Sequence, residues 1–342
     1  MSRFPSLTAA LARPGALPPS PVAVVAGASR GLGLLVAREL ASRGCRVVGL
    51  ARSEESLGDA RELMRSWGWS MTTYVADVTD ADALAGVIRQ VETEVGPVDV
   101  AVHVAGIIQV GPAVSMTRDH YERCLDVMLW GPINLSLAVL DGMRKRRRGR
   151  IGVVTSIGGK LSVPHLLPYS TAKAGAIGFC DGLRADLAGS GVTATTIVPG
   201  LMRTGSQGAA QFTGDQAKEY AWFAPSASLP LVSSDASAAA ARIAEGVLAG
   251  RGMVVISPLA QVGMRVGGVA PAMTGAILGL VGRLLPAPPS GDPQASGTVD
   301  GHTARRMLNS PWVDRITSAG RRASTRFNGQ ERPAASSATT HP

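Results

Sequence analysis

Tyr169 and Lys173 stand four residues apart, and Ser156 lies thirteen residues before the tyrosine, at the end of an apolar run. On a helix an i, i+4 spacing puts two side chains on one face. A tyrosine hydroxyl titrates near pH ~10, and a unit charge about 4 Å away is worth roughly 4 kcal/mol at an effective dielectric of 20. A neighbouring ammonium therefore makes the phenolate easier to form. Such a tyrosine can give a proton to a carbonyl oxygen, or take one from an alcohol, near neutral pH. That is half of a hydride transfer. Tyr-x-x-x-Lys also occurs by chance on many helices, so the rest of the chain must supply the hydride.

The run Val22, Ala23, Val24, Val25 reads as a strand buried on both faces. Gly27, Ala28, Ser29, Arg30, Gly31, Leu32 and Gly33 follow, and then a helical pattern at Leu34, Leu35, Val36 and Leu40. Glycines at these positions let the backbone turn tightly and approach a pyrophosphate, whose charge a helix N-terminus stabilises. Residues 46–50 supply a second strand, which gives the glycine loop its strand–loop–helix context. An NAD site would carry an acidic residue at the end of that strand, but Ala51 and Arg52 stand there. No carboxylate at that place repels a 2′-phosphate. Arg30 and Arg52, with Ser29 and Ser53, offer it charge-assisted and neutral hydrogen bonds. The expected cofactor is NADP(H).

The alternation continues. Residues 71–76 read as a third strand running into Asp77 and Val78, 82–95 as a helix, and 98–104 as a fourth strand before Ala105 and Gly106. Residues 236–249 and 253–257 read as a closing helix and strand. The pattern predicts an α/β fold: a Rossmann-like doubly wound parallel sheet with helices on both faces and ligands at the carboxyl ends of its strands. The dinucleotide-binding and catalytic domain is expected over 21–260, behind a flexible leader at 1–20.

Taken together, these motifs resemble the short-chain dehydrogenase/reductase family from Pro21 to about Pro258. Ala26 to Gly33 is similar to the family's T-G-x-x-x-G-x-G loop, with Ala26 in the threonine's place. Asp77 and Val78 resemble its adenine-contacting position. His103, Val104, Ala105 and Gly106 resemble its N-N-A-G element with both asparagines absent, so their sheet-stabilising hydrogen bonds must be replaced or missing. Pro199, Gly200, Leu201, Met202, Arg203 and Thr204 resemble the P-G-x-x-x-T turn that approaches the nicotinamide.

The resemblance implies that the Ser156 hydroxyl holds the substrate oxygen and that Tyr169 is the acid in reduction and the base in oxidation. It implies that Lys173 bonds the nicotinamide ribose and lowers the tyrosine's pKa. It further implies a homodimer or homotetramer through helices around 121–143 and 172–187. Many members carry a fourth catalytic residue, an asparagine, where this chain has Met128. In the family picture that position's main-chain carbonyl holds a water that relays protons to the lysine. The relay survives here if the helix keeps a local kink.

The pocket segments are 161–167 and 201–232, which carry Leu166, Met202, Phe212, Tyr220, Trp222 and Phe223, with Arg203 as the one arginine suited to clamp a small acid. An apolar alcohol or ketone is favoured as substrate: a lipid, steroid or acyl-chain derivative. The leading expectation is an NADP(H)-dependent oxidoreductase. A 3-oxoacyl-thioester reductase is the alternative within the same chemistry. A catalytically weak NADP(H)-binding scaffold or sensor is the alternative outside it, motivated by the absent asparagines at 103, 104 and 128.

The formal charge of +9 is concentrated: six of the seven residues at 144–150 are basic. Stacking aromatics do not accompany this patch, so a solvated face or an anionic-lipid contact is expected rather than nucleic acid. Cys45, Cys124 and Cys180 are odd in number and far apart, and the five histidines show no ligand spacing. Neither a disulfide framework nor a metal is expected, and a reducing, cytoplasmic setting fits. Residues 266–282 carry no charge between Arg265 and Arg283. They fall short of the roughly 20 apolar residues of a spanning helix. The readings, in order, are a buried helix over the pocket or a dimer contact, an in-plane membrane contact through 262–286, and a true span. Residues 287–342 read as a linker and mostly disordered tail, with a short docked helix carrying Trp312.

Overall fold

The computed structural model describes residues 14–203, 205–228, 233–290 and 297–328. Most of the leader, Thr204 and the end of the tail lie outside the described residues. Seven parallel strands form the central sheet: β1 (Val22–Ala26), β2 (Arg46–Ala51), β3 (Thr72–Val75), β4 (Val98–His103), β5 (Gly149–Val154), β6 (Val192–Val198) and β7 (Met253–Val255). Their spatial order is β7-β6-β5-β4-β1-β2-β3. The order reverses between β1 and β4, which opens a crevice at their carboxyl ends. Val24 is in register with Val48 on one side and with Ala101 on the other.

The helices that follow are α1 (Gly31–Ser42), α2 (Glu54–Ser66), α3 (Ala81–Glu94), α4 (Arg118–Leu125), α5 (Gly131–Lys145), α6 (Leu167–Asp186), α7 (Gln216–Ser226) and α8 (Ala236–Leu248). Alternation along β1 feeds both cores. Ala23 and Val25 pack with α1, α2 and α8, while Val22, Val24 and Ala26 pack with α3, α5 and α6. The sheet is thus doubly wound, as the sequence pattern implied.

Between α4 and α5 the chain makes a π-helical turn over Asp126–Trp130, so that Arg118–Lys145 is one continuous helical run. By length and composition this run could cross a membrane. It packs instead within the fold, α4 against α6 and α5 against α3 and β4.

The basic run at 144–150 is a solvated face only in part: Arg144, Lys145 and Arg147 are exposed. Arg150 is buried and donates to Leu248 O, Gly149 O and Gly15 O. Arg146 donates to Val98 O, and Arg148 pairs with the buried Asp99 at 3.1 Å. These guanidiniums tie together the amino-terminal ends of the strands, where carbonyls and one carboxylate need donors.

The C-terminal third adds α9 (Pro258–Val269), α10 (Pro271–Gly282), α11 (Gly301–Leu308), α12 (Pro311–Ile316) and α13 (Ser318–Arg326). Pro271 opens α10 and breaks the apolar stretch into two helices of 12 residues each. At 1.5 Å per residue each is about 18 Å long, against a hydrocarbon core of about 30 Å. The spanning reading therefore fails. The buried-helix reading also fails within this chain, because α10 has no buried residue.

The linker and loose tail expected over 287–342 are corrected where the chain is described. Thr298–Asp300 pairs antiparallel with Gln211–Thr213, which in turn pairs with Gln109–Val110. The docked residue of α12 is Val313, whereas Trp312 is 70% exposed.

Candidate active site

β5 ends at Val154, and Ser156 continues extended before a 3-10 turn, Ile157–Gly159, that its Oγ caps by accepting from Gly158 N at 3.0 Å. α6 starts at Leu167 with Pro168 in its first turn, a position where a missing N–H costs nothing. The first turns of α6 then carry Tyr169 and Lys173 past Ser156. Ser156 Oγ and the Tyr169 ring lie side by side over Gly158, and Lys173 Nζ lies 5.9 Å from the centroid of the tyrosine ring. Lys173 is 4% exposed and donates to Val154 O at 2.8 Å.

Burial lowers the Lys173 pKa to about 8. Burial also pushes the Tyr169 hydroxyl up, and the neighbouring Ser156 hydroxyl opposes that shift. Cys124, on α4, is fully buried beside this pair, in a cluster with Met128 and Ala172. Its thiol is pushed up to about 12 by burial, so it is neutral and brings no charge to the site near pH 7.

Met128 lies in the π turn, where Gly131 N–H bonds Asp126 O five residues back. The π register gives the helix a local kink at this point. The thioether is buried, and Gly106 separates it from the lysine. A β-carbon on Gly106 would stand 3.4 Å from Met128 Sδ and 3.8 Å from Lys173 Nζ.

His103, at the end of β4, is buried with neither ring nitrogen partnered among the described residues. Burial, and then the Lys173 charge, lower its pKa to about 3, so the ring is neutral. The tie between β4 and β1 that the absent asparagines would make is carried here by backbone: Val104 N and Ala105 N both donate to Ala26 O, at 2.9 and 3.0 Å.

The glycine loop turns at Gly27, whose φ is +88°, and closes so tightly that a β-carbon on Gly33 would stand 1.9 Å from Gly27 O. Gly27 N and Ala28 N bond Leu50 O, which fixes the loop to the end of β2. A cleft of about 720 Å³ runs from there across the strand ends. Ser29, Arg30, Leu32, Arg52 and Ser53 line one end of it, and Asp77, Val78, Ala105 and Gly106 its middle. Ser156, Tyr169, Lys173, Pro199, Gly200 and Met202 line the other end. Two arginines and two serines, grouped where the glycine loop meets the start of α2, suit a 2′-phosphate, and the tight glycine turn leaves a pyrophosphate its room. The residues present therefore fit NADP(H).

The substrate side departs from the sequence reading. Leu166 is buried with Phe212, Tyr220 and Phe223, whose rings meet edge to face at 5.5 and 5.8 Å. These aromatics pack the insertion onto the body more than they line a pocket. Arg203 is spent on the backbone carbonyl of Ser233.

Sequence reasoning missed three groups here. Cys124 was a lone cysteine with no spacing signal. Glu219, wholly buried, accepts from Trp222 Nε1 at 2.7 Å and lies 2.8 Å from His165 Nδ1, a pairing across 54 residues. Asn328 reaches the cofactor cleft from the far end of the chain.

The short chain dehydrogenase family pattern matches residues 21–213, more than half of the chain. The chain belongs to the short-chain dehydrogenase family. It is 36% identical over 183 residues to the 3-oxoacyl-(acyl-carrier-protein) reductase FabG of Vibrio cholerae, covering 54% of this chain and 74% of that one. The corresponding Escherichia coli protein is 33% identical over the same coverage. Among solved structures, a short-chain dehydrogenase from Streptomyces avermitilis aligns with a TM-score of 0.66 at 28% identity, over 77% of this chain and 97% of that one. A variant of actinorhodin polyketide ketoreductase with NADPH aligns with a TM-score of 0.62 at 28% identity, over 69% and 95%. As a short-chain dehydrogenase, the chain is an oxidoreductase that uses NADP(H) on carbonyl and alcohol groups. The matched span contains Ser156, Tyr169 and Lys173 together with the glycine loop.

Proposed function

We propose that this short-chain dehydrogenase interconverts a carbonyl and an alcohol on an apolar, lipid-, steroid- or acyl-like substrate, with Tyr169 as its acid and base. The observation that carries the reading is the Ser156–Tyr169 hydroxyl pair beside a lysine anchored on the same strand end. When bound, NADPH supplies the hydride. Ser29, Arg30, Arg52 and Ser53 would hold its 2′-phosphate, the glycine loop with Leu32 its pyrophosphate, and Asp77 and Val78 the adenine. Pro199 and Gly200 would serve the nicotinamide end, with Thr204 following them in the chain.

Ser156 donates to the substrate oxygen and fixes its place. Tyr169 gives its proton to that oxygen as charge develops on it, and Lys173 stabilises the resulting phenolate. In the π turn, the Met128 carbonyl would hold a water through which a solvent proton returns to Tyr169 by way of Lys173. Met202, Ile107 and Ile108 contribute apolar surface to the cleft, and Arg203 is held by the Ser233 carbonyl.

The names of the relatives favour a second, narrower reading, a 3-oxoacyl thioester as substrate. A basic chain suits an acidic carrier protein. Turnover of a ketone panel separates the cases. Free apolar ketones as good substrates support the broad reading, a strict need for a carrier-bound 3-oxoacyl chain supports the narrow one, and turnover of polar polyols alone overturns both. The intact Ser156, Tyr169 and Lys173 argue against a scaffold or sensor.

The reading takes α9 and α10 as the part that meets a lipid surface. Val266, Val269, Met273, Ile277 and Leu280, between Arg265 and Arg283, are all exposed, Val269 at 88%, as is Val262 before them. Two short apolar helices, with Arg265 within the first and Arg283 after the second, suit an in-plane contact with anionic lipid. A homodimer or homotetramer remains the proposed assembly, and the three buried free cysteines suit a reducing, cytoplasmic setting.

A further inference from the structure

The C-terminal extension ends on the cofactor cleft. Phe327, 5% exposed, is buried in the same core as α1, and its carbonyl accepts from Gly31 N at 2.8 Å. Gly31 is the first residue of α1, whose opening amides have no partner within the helix. Asn328 follows with φ +57°, and its side chain lines the cleft. Its Nδ2 donates to Ser29 O at 2.8 Å and to Ser56 O at 3.2 Å.

Those two carbonyls belong to opposite walls. Ser29 sits in the glycine loop next to Arg30. Ser56 sits in the first turn of α2, where its own N–H bonds the capping Ser53 Oγ at 3.2 Å. The corner that receives a 2′-phosphate is framed by these walls, with Arg30 and Ser29 on one and Arg52 and Ser53 on the other. Glu55 and Asp59 of α2 line the same cleft, so the placement of α2 decides whether cations or carboxylates face the phosphate. One side-chain amide, 299 residues along the chain from Ser29, sets that spacing.

We propose that Asn328 is a positioning residue of the dinucleotide site: by tying the glycine loop to the start of α2 it fixes the corner that distinguishes NADPH from NADH. The inference rests on the assignment of NADP(H) as cofactor. It makes the C-terminal extension part of the cofactor site, with its effect concentrated on the one phosphate that the two nucleotides do not share.

Positive φ is open to Asn and Gly alike. Asn328→Gly therefore removes the amide while keeping the backbone. Asn328→Asp keeps the shape but cannot donate to the two carbonyls, and it adds a negative charge at the corner. The test is calorimetric titration of the full-length protein and both variants with NADPH and with NADH, alongside melting temperatures without nucleotide. Asn328→Gly is expected to weaken NADPH about tenfold, the worth of one or two hydrogen bonds, with NADH changed less than about threefold. Asn328→Asp is expected to weaken NADPH further, again sparing NADH. Should the glycine variant melt far below wild type, the near-isosteric aspartate variant carries the comparison. Equal weakening of both nucleotides, or no change in either, overturns the proposal. Wild-type protein that binds NADH more tightly than NADPH would instead overturn the cofactor assignment beneath it.

Discussion

Lys173 Nζ donates a 2.8 Å hydrogen bond to the carbonyl of Val154, the last residue of β5, two residues before Ser156. The strand that presents the serine therefore also holds the lysine, and α6 brings the tyrosine to both. The three groups hang on one strand–helix joint, so their mutual distances depend on the core beneath β5 rather than on a mobile loop.

This joint sets a pH dependence. Burial brings Lys173 to about 8, so its charge is present below that pH and lost above it. Burial pushes Tyr169 up, which keeps the phenol protonated through neutrality. In the proposed mechanism, reduction uses the protonated phenol and the charged lysine together. Its rate is expected to hold on the acid side of 8 and to fall up to about tenfold per pH unit above it. A pH profile of kcat for ketone reduction checks this, and a flat profile to pH 10 contradicts it.

His103 titrates in the opposite sense for stability. Its folded pKa of about 3 lies below the ordinary 6.5, so the unfolded chain binds a proton that the folded chain refuses between those values. Stability is full above 6.5 and is lost as pH falls toward 3, by up to about 1.4 kcal/mol per pH unit. Thermal melting from pH 7 to pH 4 should show a smaller decline for His103→Asn than for wild type. Parallel declines would show that another group governs acid unfolding.

Arg52 is exposed at the rim of the cleft, where a charge-assisted bond to a 2′-phosphate is partly screened. Arg52→Ala is expected to raise the NADPH dissociation constant about tenfold and to leave NADH within about twofold. Fluorescence titration with both nucleotides measures this, and an unchanged NADPH affinity would remove Arg52 from the phosphate site.

Exposed apolar side chains on α10 should bind anionic vesicles. Ile277→Asp with Leu280→Asp is expected to reduce flotation with phosphatidylserine-containing liposomes several-fold while NADPH binding stays unchanged, since neither residue lines the cofactor cleft. Undiminished flotation contradicts the lipid reading. Dissociation of an oligomer by the same variants would show that a second copy covers this face.

Much of the fold and site was legible because local signals coincide with global ones. The unbroken apolar run of β1 and the glycines at 27, 31 and 33 mark a buried strand and a tight turn, and the spacing of 156, 169 and 173 survives any loop between them. What stayed hidden depends on distant partners. The basic run at 144–150 looks like a uniform surface patch until Gly15 O, Val98 O and Asp99 are seen to take the guanidiniums of Arg150, Arg146 and Arg148. The unpartnered state of His103 and the buried carboxylate of Glu219 are set by packing across the chain, and Asn328 is a single residue in a serine- and arginine-rich stretch. Nor does sequence separate an α-helical Met128 from one in a π turn, because the extra residue is a property of hydrogen-bond register.

The most direct measurement is single-turnover oxidation of enzyme-bound NADPH on mixing with a saturating apolar ketone, for wild type and for Tyr169→Phe. The phenylalanine variant keeps the ring and loses the proton donor. It is predicted to bind NADPH within about threefold of wild type and to react about 10²- to 10⁴-fold more slowly. Wild-type turnover by Tyr169→Phe would contradict the account.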